Sequence, residues 1–361
     1  MGTVRILTMK ILFLTRYSRL GASSRLRTYQ YLPLLEVEGF TVEAVPFFDD
    51  EYLRDLYSGK RQPRQLIGYY ARRFAKLLSA NKADLIWIEK EALPWVPWWL
   101  EHLMLPSGVR YVVDYDDAVF HRYDLDSKGI VRHLLHDKID RVMQNAACVM
   151  VGNDYLGERA FNAGAPRIET VPTVVDLDRY KIMPDRHDRD RPRVGWIGTP
   201  KTWQGSARPT YINLRRTIAA CEATFRAIGS SLDPVSEQGF ENIPWTEHDE
   251  VSLIQSLDVG IMPLQNDPWT RGKCAYKLVQ YMACGVAVVA SPVGLNTQIV
   301  QHGVNGFLAD TEQEWRECVA RLLSDPQLRE DMGAAGRRQI EERYSLHVWA
   351  PKVADILRSL R

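Results

Sequence analysis

The clearest chemical pattern lies late in the chain. In TRGKCAYKLVQYMACG, residues 270–285, Lys273, Lys277 and Gln280 recur at i, i+4 and i+7, with Gly272 just ahead of them. On a helix that spacing puts all three on one face, while Cys274, Leu278, Tyr281 and Met282 share an apolar one. A helix N-terminus offers free N–H groups and partial positive charge, and a glycine there lets a ligand come close. Two lysines one turn apart add point charges. The set suits a diphosphate, with Gln280 a turn deeper for ribose hydroxyls. The bland alternative is a pair of solvated lysines on a helix edge. The run VAVVAS that follows reads as a fully buried strand, which favours the ligand reading because open α/β sheets bind ligands at strand ends.

Three further clusters could do chemistry. GWIGTPKTW follows a strand and sets Gly198, Thr199 and Lys201 where phosphate or sugar hydroxyls would be met, although it has neither GxGxxG nor a P-loop pattern. RLGASSRLRTYQYLP has Gly21 in a turn, Ser23 or Ser24 as a helix cap, and Arg25 and Arg27 at the helix start; these are candidate anion or acceptor contacts, or simply a capped helix. VVDYDDAVFHRY crowds Asp114, Asp116 and Asp117 at a strand end. Crowded carboxylates repel, so at least one should bind its proton more tightly than usual, as a proton acceptor needs. The same trio suits a divalent metal, or a helix cap with a salt-bridge partner. Glu89 and Glu91 point to the same side just upstream, and Glu91 is taken as an acceptor contact. His121 is a catalytic helper or a structural histidine.

These residues need a scaffold, and the pattern supplies one. Strands and helices alternate: KILFLT, a helical stretch from Ser24 to Glu38 stopped at Gly39, FTVEAV, ADLIWIE, GVRYVVDY, the helix HDKIDRVMQNA, CVMVGN and RIETVPT. That is the βαβ rhythm of a parallel sheet covered on both faces. The charged stretch MPDRHDRDRPR, residues 183–193, reads as a linker. The rhythm restarts with RVGWIGT, FRAIGS, VGIMPL and VAVVAS. The expected architecture is two Rossmann-like, doubly wound α/β domains facing a cleft, residues 1–180 and 181–344, with a last helix over 345–361 packing back on the first domain.

Composition narrows the class of partner. Net charge is +1, which gives no global field toward nucleic acid. No apolar run approaches the roughly 18 residues of a membrane span, and MKILFLT is too short for a signal peptide. Five scattered cysteines form no CxxC pair, which points away from a zinc cage and toward a reducing cytosol. From Lys60 to Lys76 six basic residues occur without an acid, interleaved with Leu66, Ile67, Tyr69, Tyr70 and Phe74, and three tryptophans follow in PWVPWWL. Such a segment either lies weakly on the anionic inner face of a membrane or is a solvated helix face.

Taken in order, GASSRLRTYQYLP, DYDDA, GNDYL with VPTVVDLDRY, GWIGTP, KLVQYMACGVAVVASPVGLN and GVNGFLA resemble a family 4 glycosyltransferase, of the glycosyl transferases group 1, over nearly the whole chain. The resemblance implies the GT-B fold, with the acceptor on the first domain and a nucleotide-sugar on the second. It implies retaining transfer of a hexose-type sugar, without metal or other cofactor, to a glycan, lipid-linked or small-molecule acceptor, in surface polysaccharide or glycoconjugate synthesis. Lys277 matches the family's lysine and Lys201 its loop lysine, whereas Gly272 and Gln280 stand where two glutamates are common and Trp196 where arginine is. On this reading Lys277 and Asp116 are catalytic. Alternatives are a silent donor-binding subunit, a GT-B epimerase, or a GT-A enzyme using Asp114 and Asp116 for metal.

Overall fold

The computed structural model describes residues 8–60, 63–183, 191–231 and 235–361. The chain forms two compact α/β units. The first runs to Thr173 and takes in Gly272–Cys274 and Trp349–Arg361; the second holds Val174–Arg271 and Ala275–Val348. Most of the stretch read as a charged linker, 184–190, lies outside the described residues, as do residues 1–7 and Arg61 of the basic segment.

The first unit is built on β1 (Lys10–Tyr17), β2 (Thr41–Phe48), β3 (Leu85–Glu89), β4 (Arg110–Tyr115), β5 (Cys148–Val151) and β6 (Ile168–Thr170). The order is β2-β1-β3-β4-β5-β6, parallel throughout. LIWIE and CVMV are buried along their whole length, as strands of a sheet covered on both faces must be. The strand order reverses at β1. The loops leaving the carboxyl ends of β1, β3 and β4 therefore flank the point where such sheets hold ligands.

The second unit contains β7 (Arg193–Ile197), β8 (Thr224–Ile228), β9 (Val235–Glu237), β10 (Phe240–Ile243), β11 (Val259–Met262), β12 (Ala287–Ala290) and β13 (Phe307–Leu308). They run β13-β12-β11-β7-β8-β10-β9, all parallel except the β9–β10 pair. Trp196, Trp203, Phe225, Val289 and Trp315 belong to its core. Here the switch lies between β7 and β11, so the loop after β7 stands at the second ligand-binding edge.

Two expected helices differ. The stretch from Ser24 to Glu38 is a short turn Ala22–Ser24, a wide π-helical turn Arg25–Tyr29, and a helix Leu32–Val37. The late helix begins only at Tyr276 and ends at Ala283, because Ala275 sits in the left-handed region at φ 50 and breaks the register. Lys273 is therefore not on it. The basic segment does form a helix, Pro63–Leu78. Its cations are largely spent: Arg73 is buried and donates to the Thr15 and Val45 carbonyls, Arg72 pairs with Asp49, and Lys76 pairs with Glu43. Among the described residues no helix is long and apolar enough to cross a membrane.

Candidate active site

At the carboxyl edge of the first sheet, opposite charges are placed on one another. Arg27 holds Asp114 with two hydrogen bonds and gives a third to the Val171 carbonyl, so neither of the pair presents itself to a ligand. Glu89 ends β3 fully buried; its Oε2 accepts from the Arg16 amide at 2.9 Å and from the Ser24 hydroxyl at 2.6 Å. Asp116 forms an ion pair with Lys90, 2.9 Å from Oδ1, and accepts a hydrogen bond from Ser23 at 2.6 Å on Oδ2. Lys90 also donates to Ser23 Oγ at 3.0 Å. Ser23 Oγ has one hydrogen yet lies 2.6 Å from Asp116 and 3.0 Å from Glu89 Oε1. The shorter contact takes that hydrogen. The longer is satisfied when Glu89 is itself protonated, and burial together with the nearby Asp116 charge pushes its carboxyl upward against Lys90. Burial pushes Asp116 up as well, but Lys90 and Ser23 outweigh it and hold the group below its usual range.

A second network lies directly behind. Glu91 is buried and accepts from Arg16 at 3.0 Å, Lys138 at 2.6 Å and the Tyr123 hydroxyl at 2.7 Å. Lys138 also pairs with Glu101 at 3.1 Å, and Glu101 accepts from the Ala92 amide. Despite burial, Lys138 and Arg16 hold the Glu91 carboxyl down to about 2. The segment it pins has two non-glycine residues at positive φ, Lys90 at 67 and Trp95 at 62. Each such residue costs on the order of 1–3 kcal/mol and persists only where its surroundings over-determine it.

This geometry reassigns several sequence candidates. Glu91, Arg27 and Ser24 are saturated by their own neighbours rather than offered to an acceptor. Gly21 is a packing position, since a Cβ there would meet Tyr17 Cβ at 2.4 Å. Arg25 is buried. Of that loop, Ser23 is the residue that reaches Asp116. His121 is held by Asp124 and the Tyr155 hydroxyl, both at 2.8 Å, which accounts for it structurally. The aspartates do not form an open metal site, because Arg27 and Lys90 already neutralise Asp114 and Asp116.

The segment Gly272–Cys274 counts with the first unit and is not the start of a helix. A Cβ on Gly272 would lie 2.5 Å from Ala118 Cβ and 2.8 Å from its amide nitrogen. The glycine therefore serves close packing of the chain on itself, where the sequence suggested room for a ligand. Asn153 donates to the Lys273 carbonyl, and the Cys274 thiol to the Asp116 carbonyl at 3.1 Å. Lys273 is one of the charges felt by Asp117.

In the second unit the loop after β7 presents Thr199 and Lys201, both exposed. Gly198 carries the turn; a Cβ would meet the Trp196 ring at 2.4 Å. Lys277 Nζ lies 5.9 Å from the centre of that same ring, so Lys277 stands beside the β7 loop. Gln280 does not continue an exposed stripe. It is buried and donates to the Tyr180 hydroxyl at 2.8 Å, which in turn donates to Glu250 at 2.5 Å. The α-helical period put Gln280 on the lysine face, but Tyr180 comes from a distant loop and covers it.

Lys90 and Lys138 were missed in the sequence. The signal for Lys90 was its place between two glutamates at the end of a buried strand; for Lys138 there was none beyond an amphipathic helix.

The profile of the family described as "Glycosyl transferases group 1" matches residues 240–339. The GDP-mannose-dependent alpha-(1-6)-phosphatidylinositol monomannoside mannosyltransferase of Mycobacterium tuberculosis is 26% identical over 247 residues, 60% of this chain and 63% of that relative. The matched stretch thus spans less than two thirds of its length. Sucrose-phosphate synthase from Thermosynechococcus elongatus superposes with a TM-score of 0.72 at 15% identity, over 98% of this chain and 99% of that one. Anabaena HepE, in complex with UDP and glucose, gives 0.69 at 19% identity, over 97% and 100%. Over residues 240–339 the chain is similar to the glycosyl transferases group 1. Its fold is GT-B, a pair of Rossmann-like α/β units. The family resemblance read from the motifs therefore holds. The matched residues 240–339 include both Lys277 and Gln280.

Proposed function

We propose that the protein transfers a hexosyl group from a nucleoside-diphosphate sugar to a hydroxyl of a glycan, lipid-linked or small-molecule acceptor, with retention of configuration. The observation that carries this is that Lys277 Nζ lies 5.9 Å from the centre of the Trp196 ring, on the strand β7 that borders the switch point of the second sheet and whose following loop presents Lys201. Fixed cations there stabilise the charge that grows on a departing diphosphate, which is the largest demand of such a transfer. They also do the work a divalent metal does elsewhere, so turnover is expected to survive chelation. The mannosyltransferase relative supports GDP-mannose as the first donor to try, and HepE supports UDP-sugars as the second. A role in surface glycoconjugate synthesis on the cytoplasmic side accords with that relative's lipid acceptor. The deciding measurement is a thermal-shift screen of GDP-mannose and UDP-glucose followed by assay of nucleotide release with and without EDTA. A donor at 100 times its Kd should stabilise the protein by roughly 2.7 kcal/mol. No shift with any nucleotide-sugar would refute the reading.

A second reading, a donor-binding subunit without turnover, is favoured by Gly272 and Gln280, which replace acidic residues and are both packed inward. Donor binding without nucleotide release or transfer distinguishes it. Weak association with anionic lipid is also proposed, now resting on exposed Arg64 and Ile67, because Arg72, Arg73 and Lys76 are engaged elsewhere. Equal co-sedimentation with anionic vesicles by the wild type and an Arg64→Glu, Ile67→Glu variant removes that proposal.

A further inference from the structure

At the carboxyl edge of the first sheet most cations are answered from within. Arg27 is held by Asp114, Lys90 by Asp116, and Lys138 by Glu91 and Glu101. Arg122 is not. It lies in the short helix His121–Asp124 that follows β4, it is partly exposed, and its side chain makes no hydrogen bond or ion pair among the described residues. Its backbone is well fixed. The Arg122 amide donates to the Val119 carbonyl at 3.0 Å. Tyr123, next in the chain, is buried with its hydroxyl on Glu91 at 2.7 Å, and the same carboxylate takes Nη1 of Arg16 at 3.0 Å. Arg16 stands late in β1, the strand at which the order reverses. Its Nε donates to the Tyr17 hydroxyl at 3.4 Å, and its Nη2 has no partner among the described residues. Burial and then the like charge of Arg16 pull Arg122 below its ordinary value, and Glu91 offsets part of this. An unanswered cation beside a second one is a cost that an arriving anion removes.

We propose that the first unit binds a phosphate ester at this edge, with the Arg122 guanidinium and Nη2 of Arg16 donating to its oxygens. That the ester belongs to the acceptor rests on the transferase reading; the anion site stands on the first unit alone. Its place is the switch point of the first sheet, where open α/β sheets hold ligands. Guanidinium groups present planar forks, and a phosphate offers several oxygens round one centre, so two forks can meet it from different sides. A carboxylate has two oxygens in one plane, which a single fork already fills. The carboxylates nearby do not oppose the ligand strongly. Glu91 is taken up by Arg16, Lys138 and Tyr123, and Asp116 by Lys90 and Ser23. Asp117 feels the Arg122 charge without pairing to it, and burial and then the Asp116 charge push its carboxyl upward, which weakens its repulsion of an anion.

The test uses the full chain in calorimetric titrations with glycerophosphate, inositol monophosphate, glucuronate and glycerol, and in co-sedimentation with phosphatidylcholine vesicles with and without phosphatidylinositol. The thermal shift given by GDP-mannose or UDP-glucose is read in parallel. A phosphate ester should bind where glycerol does not, and Arg122→Gln should weaken it by about 10–100-fold, as loss of a charge-assisted contact implies. Arg122→Lys should recover part of the loss, and it serves if Arg122→Gln does not fold. Arg122→Gln should keep the donor shift and the wild-type urea midpoint, because no partner is stranded; a marked loss of stability would make Arg122 structural and overturn the proposal. Binding of a soluble ester marks a free phosphorylated acceptor. Binding confined to phosphatidylinositol vesicles, and lost in Arg122→Gln, marks a lipid headgroup. Wild type that binds the ester in neither form, Arg122→Gln that binds as well as wild type, or glucuronate bound more tightly than the esters overturns the inference. Ester binding through Arg122 without any donor shift sinks the transferase reading and keeps the anion site; a donor shift without ester binding sinks the inference alone.

Discussion

The two carboxyl edges solve opposite problems. In the first unit nearly every charged group is answered by another: Arg27 by Asp114, Lys90 by Asp116, Arg16 and Lys138 by Glu91 and Glu101. In the second, Lys201 is exposed with no partner among the described residues, and Lys277 lies over an indole. Internally neutralised charge gives rigid placement with little left over for a ligand. An exposed Lys201 leaves the attraction to be completed by an anion. The contrast accords with a precise hydroxyl-positioning surface on one unit and a diphosphate-binding edge on the other.

The contrast is broken most forcefully by Lys138→Met. It leaves the buried Glu101 without a counter-charge and Glu91 with Arg16 alone, and removing one partner of a buried ion cluster costs about 3–5 kcal/mol. Lys201→Met, at the open edge, should stay within about 0.5 kcal/mol. Urea unfolding of both variants measures the difference, and similar midpoints would mean that the first edge is not built on its charges.

Acid should act next. Glu91 is held at about 2 against an ordinary 4.5. A depressed carboxyl contributes its stabilisation above the unfolded value and loses it as pH falls from about 4.5 toward 2. Stability should therefore decline across that window, and Glu91→Gln, though less stable at neutral pH, should decline less steeply. A variant with the wild-type slope would assign acid sensitivity elsewhere.

At the open edge, Lys277→Ala should cost roughly 1.5–3 kcal/mol in binding GDP or UDP and leave the bare nucleosides nearly unchanged. Calorimetric titration with both ligand types reads this directly; unchanged preference for the diphosphate would return Lys277 to a solvated, ring-packed role. The smallest effect belongs to Gln280→Leu. Losing a buried neutral hydrogen bond to Tyr180 should cost about 0.5–1.5 kcal/mol of stability, with nucleoside affinity intact. Weakened guanosine or uridine binding by that variant would instead restore the ribose contact that helical spacing suggested.

Gln280 also shows where sequence reasoning stops. Period 3.6 puts it on a face with Lys277, but cannot show that Tyr180, a hundred residues earlier, covers that face. Lys273 fails for another reason. One alanine in a left-handed conformation at 275 ends the register, and alanine is the residue least expected to announce such a break. The β9–β10 hairpin went unread because SEQGFEN is too polar to signal strand and lies at the sheet edge, where alternation is weak.

Apolar runs such as LIWIE, CVMV and AVVA determined by themselves that this chain would form two covered parallel sheets, since only burial on both faces accommodates strands without a polar side. The ordered motifs likewise pointed to the family whose profile matches residues 240–339. Pairing was decided only in three dimensions. Arg27 and Asp114 are 87 residues apart, Arg16 and Glu91 75, and Ser23 and Asp116 93. A charge written in a sequence reads as solvated or as ready for a ligand. Which it becomes depends on whether folding delivers an opposite charge within about 3 Å, where desolvation makes the pair bind itself first.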